Sequence, residues 1–157
     1  MSVEIERKFL VVDDAWRASA DAGRRLRQGY VAHDGHGSVR VRICGDRGWL
    51  AVKSARAGLA RDEFEYEIPL ADARDMLDRL CVSEVIEKVR YRVVHDGMTW
   101  EVDVFDGPVE GLILAEVEMR SVDQRFDLPD WVGAEVTDDP RFRNSAIAQM
   151  AMVMAEA

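Results

Sequence analysis

The sequence has few of the side chains that build disulfide frameworks, zinc sites and nucleophilic centres. Its 157 residues include two cysteines, Cys44 and Cys81, which lie far apart and form no CxxC pair. A disulfide framework and a zinc site are therefore not indicated. The three histidines, His33, His36 and His95, lack the spacing of metal ligands. No Ser/His/Asp or Cys/His arrangement suggests nucleophilic catalysis.

Long apolar runs and an excess of positive charge are also missing. No apolar run approaches the ~18 residues of a transmembrane helix, and the first residues lack a secretory pattern. We therefore expect a cytoplasmic protein with no membrane partner. The net charge of −9 argues against a nucleic-acid partner. The length predicts one domain, residues 1–157, and no interdomain linker is visible.

Short segments in which apolar and polar residues alternate dominate the chain, and this alternation is typical of β-strands. The predicted strands are Val3–Leu10, Arg25–Val31, Ser38–Cys44, Trp49–Ser54, Arg61–Ile68, Val85–Val94, Thr99–Phe105 and Leu112–Met119. Helical spacing appears in Leu70–Leu80 and in the closing segment Ser145–Ala157. We predict an α+β fold, an eight-stranded antiparallel β-barrel with helices packed outside it and a C-terminal helix.

The polar faces of these strands are sorted by the sign of their charge. The acidic rows are Glu4/Glu6, Glu63/Glu65/Glu67, Glu101/Asp103 and Glu116/Glu118. The basic rows are Arg40/Arg42 and Lys88/Arg90/Arg92, and Lys8 and Lys53 add single cations. Solvated sheet faces usually mix their charges, because like charges side by side repel. We therefore expect the ionic faces to line the lumen of the barrel and the apolar faces to meet the helices.

A lumen that holds both acidic and basic rows implies a ligand that carries both positive and negative charge. Carboxylate oxygens suit hard divalent cations such as Mg²⁺ or Mn²⁺. Arginine and lysine suit phosphate oxygens. No Walker-type glycine-rich loop is present, so side chains would have to hold the phosphates. A divalent cation carrying a polyphosphate satisfies both requirements.

The opening segment VEIERKFLV resembles the ExExK signature of the triphosphate tunnel metalloenzymes, also called the CYTH superfamily. Glu4, Glu6 and Lys8 fill its three positions, and VRVR, EFEYEIP, EKVRYR, WEVDVF and LAEVE follow in the family's order. The resemblance covers essentially the whole chain. It implies an eight-stranded tunnel that hydrolyses or rearranges triphosphate compounds with a divalent metal.

The resemblance also implies roles for individual side chains. The implied metal ligands are Glu4, Glu6, Glu63, Glu65, Asp103, Glu116 and Glu118, of which Glu63 and Glu65 alternatively orient basic residues. The implied phosphate-binding residues are Lys8, Arg40, Arg42, Lys53, Lys88 and Arg90. The implied catalytic residues are Glu4, Glu6, Lys8 and Tyr30, the last resembling a tyrosine that pairs with the signature lysine. Glu67, Arg92 and Glu101 are left open as tunnel residues or mouth pairs, and Arg7 and Arg61 are expected outside.

The short length, by resemblance, favours hydrolysis of inorganic tripolyphosphate to pyrophosphate and phosphate with Mg²⁺ or Mn²⁺. Class IV adenylate cyclase, thiamine triphosphatase and nucleoside triphosphatase are the enzymatic alternatives, and a binding module without turnover is the non-enzymatic one. A homodimer is plausible by resemblance only.

Overall fold

The computed structural model describes residues 2–56 and 58–155. Its strands are β1 Ser2–Val11, β2 Arg24–His33, β3 Gly37–Cys44, β4 Arg47–Ser54, β5 Ala60–Ile68, β6 Ile86–His95, β7 Met98–Phe105, β8 Ile113–Glu118 and β9 Val132–Glu135. Its α-helices are α1 Leu70–Arg79 and α2 Asn144–Ala155, and short 3₁₀ turns cover Ala15–Ser19, Gly107–Val109 and Pro140–Phe142. None of the helices described is long and apolar enough to span a membrane.

The strands form one antiparallel sheet that closes on itself. Their order is β5-β4-β3-β2-β6-β7-β8-β1, and β1 pairs again with β5 through Ser2–Ile5. This closure confirms the predicted eight-stranded barrel. The ninth strand, β9, adds to the edge of β1 beyond β5, at Phe9 and Val11.

Along one edge of β1 there is a gap, called here the seam, between the segments that pair with β5 and with β9. β5 pairs with β1 up to Ile5 and β9 pairs from Phe9 onward, which leaves the backbone from Glu6 to Lys8 without a strand on that side. The carbonyl of Glu6 accepts a hydrogen bond from Arg56 at 2.8 Å, and the amide of Lys8 donates to Thr137 at 3.0 Å. The seam therefore places two signature residues beside an opening in the wall.

Apolar clusters cover much of the outer face of the barrel. Helix α1 packs on β2, β3 and β4, where Val41 and Leu77 are buried. A Cβ atom on Gly48 would lie 2.6 Å from the Cβ of Ala73, so the helix lies against bare backbone there. A second cluster, around Trp16 and Trp100, covers β1 and β6–β8. The apolar faces therefore point outward, as predicted.

The apolar cover is incomplete, and the C-terminal helix lies at one end of the barrel. Val52, Phe64 and Tyr66 on the outer face of β4 and β5 are exposed. Helix α2 lies across one end of the barrel, where Ile147 packs in one buried cluster with residues of the inner faces of the strands. These inner-face residues are Tyr30, Ile86, Phe105 and Leu114. The lumen is therefore ionic along its middle and closed by apolar side chains at one end.

Shortening Ile147 tests this closed end. Ile147 is fully buried, so Ile147→Val should lower the free energy of unfolding by about 0.5–1.5 kcal/mol, measured by urea denaturation. Val153→Ala, at an exposed position of the same helix, should change it by less than about 0.5 kcal/mol. Equal effects of the two variants would mean that α2 does not seal the lumen.

Candidate active site

The middle of the barrel encloses a cavity of about 180 Å³, called here the tunnel cavity. Apart from Asn144, every residue that lines it has an ionisable side chain. The carboxylates are Glu4, Glu6, Glu63, Glu65, Glu101, Glu116 and Glu118, and the cations are Arg40, Arg42, Lys53 and Arg90. The alternation of the strands brings these side chains together, since successive residues point to opposite faces. Most of the predicted site residues therefore share one small ionic space.

Glu4 is held by two cations in the tunnel. Lys53 Nζ lies 3.1 Å from Glu4 Oε2, and Arg61 Nε donates to the same oxygen at 3.0 Å. Lys53 also pairs with Glu63 at 3.2 Å. Burial would raise the pKa of Glu4, but Lys53 and Arg61 outweigh it and lower the pKa to about 2. Glu4 is thus ionised at every physiological pH.

The pKa values of the carboxyl groups of Glu6 and Glu116 shift in opposite directions. Burial, together with the charges of Glu116 and Glu4, raises the pKa of Glu6 to about 8. Burial acts the same way on Glu116, but Lys8, Arg90 and a hydrogen bond from Glu6 hold its pKa well below the ordinary range. Glu6 is therefore protonated near neutral pH, while Glu116 is ionised.

Asp103 has a different environment from the one predicted for a metal ligand. It is 1% exposed, and it does not line the tunnel cavity. Arg90 binds both of its oxygens, at 2.7 and 2.8 Å, and Lys88 Nζ lies 2.7 Å from Oδ2. Burial favours the neutral acid, but Arg90 and Lys88 lower the pKa of Asp103 to about 2. Its carboxylate is therefore the counter-charge of two buried cations.

Lys88 likewise lies behind the wall of the tunnel. It is 0% exposed, and its ammonium faces Asp103 and not the cavity. Burial lowers the pKa of Lys88 to about 7, although Asp103 acts in the opposite direction. A direct contact with phosphate, as predicted, would need a movement that the buried pair with Asp103 opposes.

Lys8 and Tyr30 do not form a hydrogen bond with each other. Lys8 Nζ donates to the carbonyl of Phe142 at 2.9 Å and lies 3.5 Å from Glu116 Oε1. Tyr30 packs in the apolar cluster under α2. The pairing of tyrosine and lysine that the resemblance implies is therefore absent from this arrangement.

The remaining acidic candidates lie toward the open end of the tunnel. Glu65 is 3.6 Å from Arg40, and Glu101 is 3.2 Å from Arg90, so Glu101 is a tunnel residue. Glu118 is exposed at the mouth, where partial burial and the charges of Glu4, Glu101 and Glu63 raise its pKa. The two other residues left open, Glu67 and Arg92, are exposed, and Glu67 pairs with Arg47.

Three side chains that contact the candidate site were not predicted from the sequence. Arg61 was expected outside, yet it binds Glu4; it shares the inner face of β5 with Glu63, so strict alternation would have found it. Gln28, 1% exposed, accepts two hydrogen bonds from Arg42. Arg56 lies in a loop, 3.8 Å from a Glu6 carboxylate oxygen, and no periodic signal marks it. Arg7 does lie outside, paired with Glu135.

A second cavity of about 510 Å³, called here the side chamber, opens at the seam of β1. Glu6 and Asn144 line both it and the tunnel cavity, so the two spaces adjoin. Lys8, Arg56 and Arg61 contribute positive charge to the chamber, and other parts of its wall are aromatic or hydroxyl-bearing.

The donor set of the tunnel fits a hard divalent cation. Among the described residues, no three acidic, histidine or cysteine side chains already form a metal cluster. Glu6 nevertheless holds a proton beside the ionised Glu116, and Glu4 and Glu118 line the same cavity. A cation that replaces this proton would relieve the repulsion between the carboxylates. Oxygen-only donors are those preferred by Mg²⁺ and Mn²⁺.

Comparison with known protein families shows to which family the chain belongs. The sequence matches the CYTH domain over residues 2–149. The chain belongs to the CYTH domain family. An inorganic triphosphatase of Acetivibrio thermocellus is 48% identical over 149 residues, which cover 95% of this chain and 95% of that protein. An inorganic triphosphatase of Nitrosomonas europaea is 39% identical over 152 residues, which cover 92% of this chain and 96% of that protein.

Solved structures have a fold similar to that of this chain. The crystal structure of the inorganic triphosphatase NE1496 has a TM-score of 0.66 at 36% identity, covering 95% of this chain and 96% of that chain. HpAC1 from Hippeastrum, named an adenylyl cyclase and described with a dominant triphosphatase activity, has a TM-score of 0.57 at 15% identity and covers 75% of this chain and 80% of that chain. The second likeness shows the fold alone.

Proposed function

We propose that this CYTH protein hydrolyses inorganic tripolyphosphate to pyrophosphate and orthophosphate, with Mg²⁺ or Mn²⁺ as its cofactor. The observation that carries the proposal is the tunnel cavity, whose lining combines four cations with seven carboxylates. Cations attract the phosphate oxygens, and the carboxylates attract the metal that the phosphate carries. The curated relatives named inorganic triphosphatase support the same substrate.

The cationic side chains bind and orient the phosphate chain. Arg40, Arg42, Lys53 and Arg90 line the tunnel cavity and can oppose the negative charge that develops on phosphoryl oxygens during transfer. Arg90 is fixed by its two bonds to Asp103, so its position does not depend on the substrate. Such preorganised charge lowers the barrier because it needs no rearrangement during the reaction.

The carboxylates hold the metal and direct the nucleophile. Glu4, Glu6, Glu116 and Glu118 would be the ligands, and Glu4 and Glu6 would also orient a water molecule. A divalent cation bound there supplies Lewis-acid activation of phosphoryl oxygen and of water. The water oxygen forms a bond to a terminal phosphorus, the bridging P–O bond breaks, and pyrophosphate leaves as orthophosphate forms.

The size of the tunnel cavity favours an inorganic substrate. Its 180 Å³ is well below the ~300–1,000 Å³ of pockets that enclose drug-sized organic ligands. A phosphate chain needs charged walls alone, which this cavity provides. A nucleoside attached to the chain would have to lie outside it.

Release of orthophosphate and pyrophosphate from tripolyphosphate tests the proposal, with ATP measured in parallel. We expect fast turnover of tripolyphosphate with Mg²⁺ or Mn²⁺, at least about tenfold slower turnover of ATP, and loss of both activities in EDTA. Restoration by added metal is the control for damage by the chelator. Absence of turnover with every divalent metal tested would contradict the proposal.

The side chamber favours nucleoside triphosphates as a second candidate substrate. It adjoins the tunnel cavity, and Tyr30 and Phe142 line it, so a base attached to a phosphate chain would find an aromatic wall there. Faster turnover of ATP than of tripolyphosphate would favour this candidate. Formation of cyclic AMP and pyrophosphate would identify a cyclase.

A further inference from the structure

Arg42 differs from the other cations of the tunnel because it lacks a carboxylate partner. Lys53 pairs with Glu4 and Glu63, Arg90 pairs with Asp103, and Arg40 lies near Glu65. Within residues 2–56 and 58–155, the structure gives Arg42 no ion pair. Burial, Arg40 and Arg90 lower the pKa of Arg42 to about 9, as expected for a buried cation without a counter-charge.

A neutral side chain holds Arg42 in place. Gln28 lies directly opposite Arg42 in the β2–β3 pairing. Its Oε1 accepts hydrogen bonds from Arg42 Nε at 2.9 Å and Nη2 at 2.8 Å. Gln28 is 1% exposed, so the neighbouring strands restrict its rotamer. Two bonds to one fixed acceptor determine the plane of the guanidinium.

We propose that Gln28 is a positioning residue that presents Arg42 to the anionic ligand without neutralising its charge. A carboxylate at this point would hold the guanidinium equally well, but it would also cancel the charge that attracts phosphate oxygens. An amide fixes the geometry and leaves the full charge for the ligand. The inference rests on the proposed function, because it takes the anion to be a phosphate chain.

Two buried nitrogen donors at or beside the Gln28–Arg42 pair lack a hydrogen-bond acceptor within the described part of the chain. Gln28 Nε2 is buried and has no hydrogen-bond partner among the described residues. Arg40 Nε, on the same inner face of β3, is buried without a partner as well. Buried donors are normally satisfied. An anion bound on Arg40 and Arg42 would bring acceptor oxygens to this part of the wall.

A double-mutant cycle tests whether Gln28 acts through Arg42. The probe is inorganic tripolyphosphate without divalent metal, titrated calorimetrically so that binding is measured in the absence of turnover. Gln28→Met should weaken Kd by about tenfold, and Arg42→Met by about 100-fold. If Gln28 only positions Arg42, the double variant should bind no more weakly than Arg42→Met alone. Additive effects would overturn the proposal.

The Gln28→Glu variant distinguishes the orientation of Arg42 from the neutralisation of its charge. This variant keeps both hydrogen bonds and the side-chain length, so its thermal midpoint should equal or exceed that of the wild type. Its Kd for tripolyphosphate should nevertheless weaken by about tenfold, and with Mg²⁺ its KM should rise while kcat changes by less than about threefold. A purely structural role predicts wild-type binding, because the hydrogen bonds remain.

The outcomes distinguish this inference from the proposed function. If wild-type protein neither binds tripolyphosphate nor releases orthophosphate from it with Mg²⁺, the proposed function fails. If the wild type binds it and both Gln28 variants bind equally well, the positioning role alone is overturned. Loss of folded protein in both Gln28 variants would assign the residue a structural role and would also overturn it.

Discussion

Glu118→Gln should lower kcat/KM for tripolyphosphate by at least about 100-fold while the protein stays fully folded. Glu118 lines the tunnel cavity at its mouth and is exposed, so Gln fits there without repacking. Partial burial and the nearby carboxylates Glu4, Glu101 and Glu63 raise its pKa, which means that its ionised form is repelled in the folded state. Removing that charge therefore should not lower the thermal midpoint.

The matched control for this variant is Glu110→Gln. Glu110 is exposed in the loop after the 3₁₀ turn Gly107–Val109 and lies outside both cavities. We expect wild-type kinetics from it. Near-normal activity of Glu118→Gln, measured by orthophosphate release at saturating metal, would mean that the carboxylates at the mouth do not hold the metal.

Asp103→Asn should lower the free energy of unfolding by about 3–5 kcal/mol, measured by urea denaturation at neutral pH. The amide keeps the shape of the side chain but removes the counter-charge of Lys88 and Arg90, both of which are buried. Among the described residues, Lys88 would then lack its ion-pair partner and Arg90 would keep only Glu101 and Glu116, which is costly because the interior solvates buried cations poorly. A metal ligand, by contrast, would lose activity with little loss of stability in the metal-free protein.

Glu101→Gln provides the comparison for Asp103→Asn. Glu101 is the next inward residue on the same strand and contacts the same cation, Arg90, at 3.2 Å. Its side chain is 33% exposed, so water replaces much of the lost interaction and the cost should stay below about 1 kcal/mol. Asp103→Asn with a cost this small would restore Asp103 as a candidate metal ligand.

Strand periodicity was sufficient to predict the barrel and most of the tunnel lining. Rows such as Glu116/Glu118 and Arg40/Arg42 share a face because side chains alternate, and massed like charge identifies the face that needs a ligand. The same rule, applied to Arg61, would have placed it beside Glu63. The alternation of β5 therefore contains the information that places Arg61 on the inner face.

Periodicity does not reveal how deep a residue lies along the tunnel or which charges pair. Asp103 and Glu101 share a face, yet only Asp103 is sealed behind the wall, because Lys88 and Arg90 reach it across the β6–β7 pairing. Tyr30 is in phase with Gln28 but lies at the closed end, under α2. The burial of Asp103 depends on cross-strand register, and the position of Tyr30 depends on where α2 packs. The pattern of a single strand shows neither the register nor the helix position.

We propose that the carboxylates of β1 and β8 bind the metal and that the arginines of β3 bind the phosphate chain. A crystal structure with Mn²⁺ and tripolyphosphate tests this directly, since anomalous scattering locates the manganese and the phosphorus atoms mark the substrate or its products. We predict manganese bound to carboxylates among Glu4, Glu6, Glu116 and Glu118, and phosphate oxygens on Arg40 and Arg42. Manganese outside the tunnel cavity, or phosphate bound away from these arginines, would contradict the account.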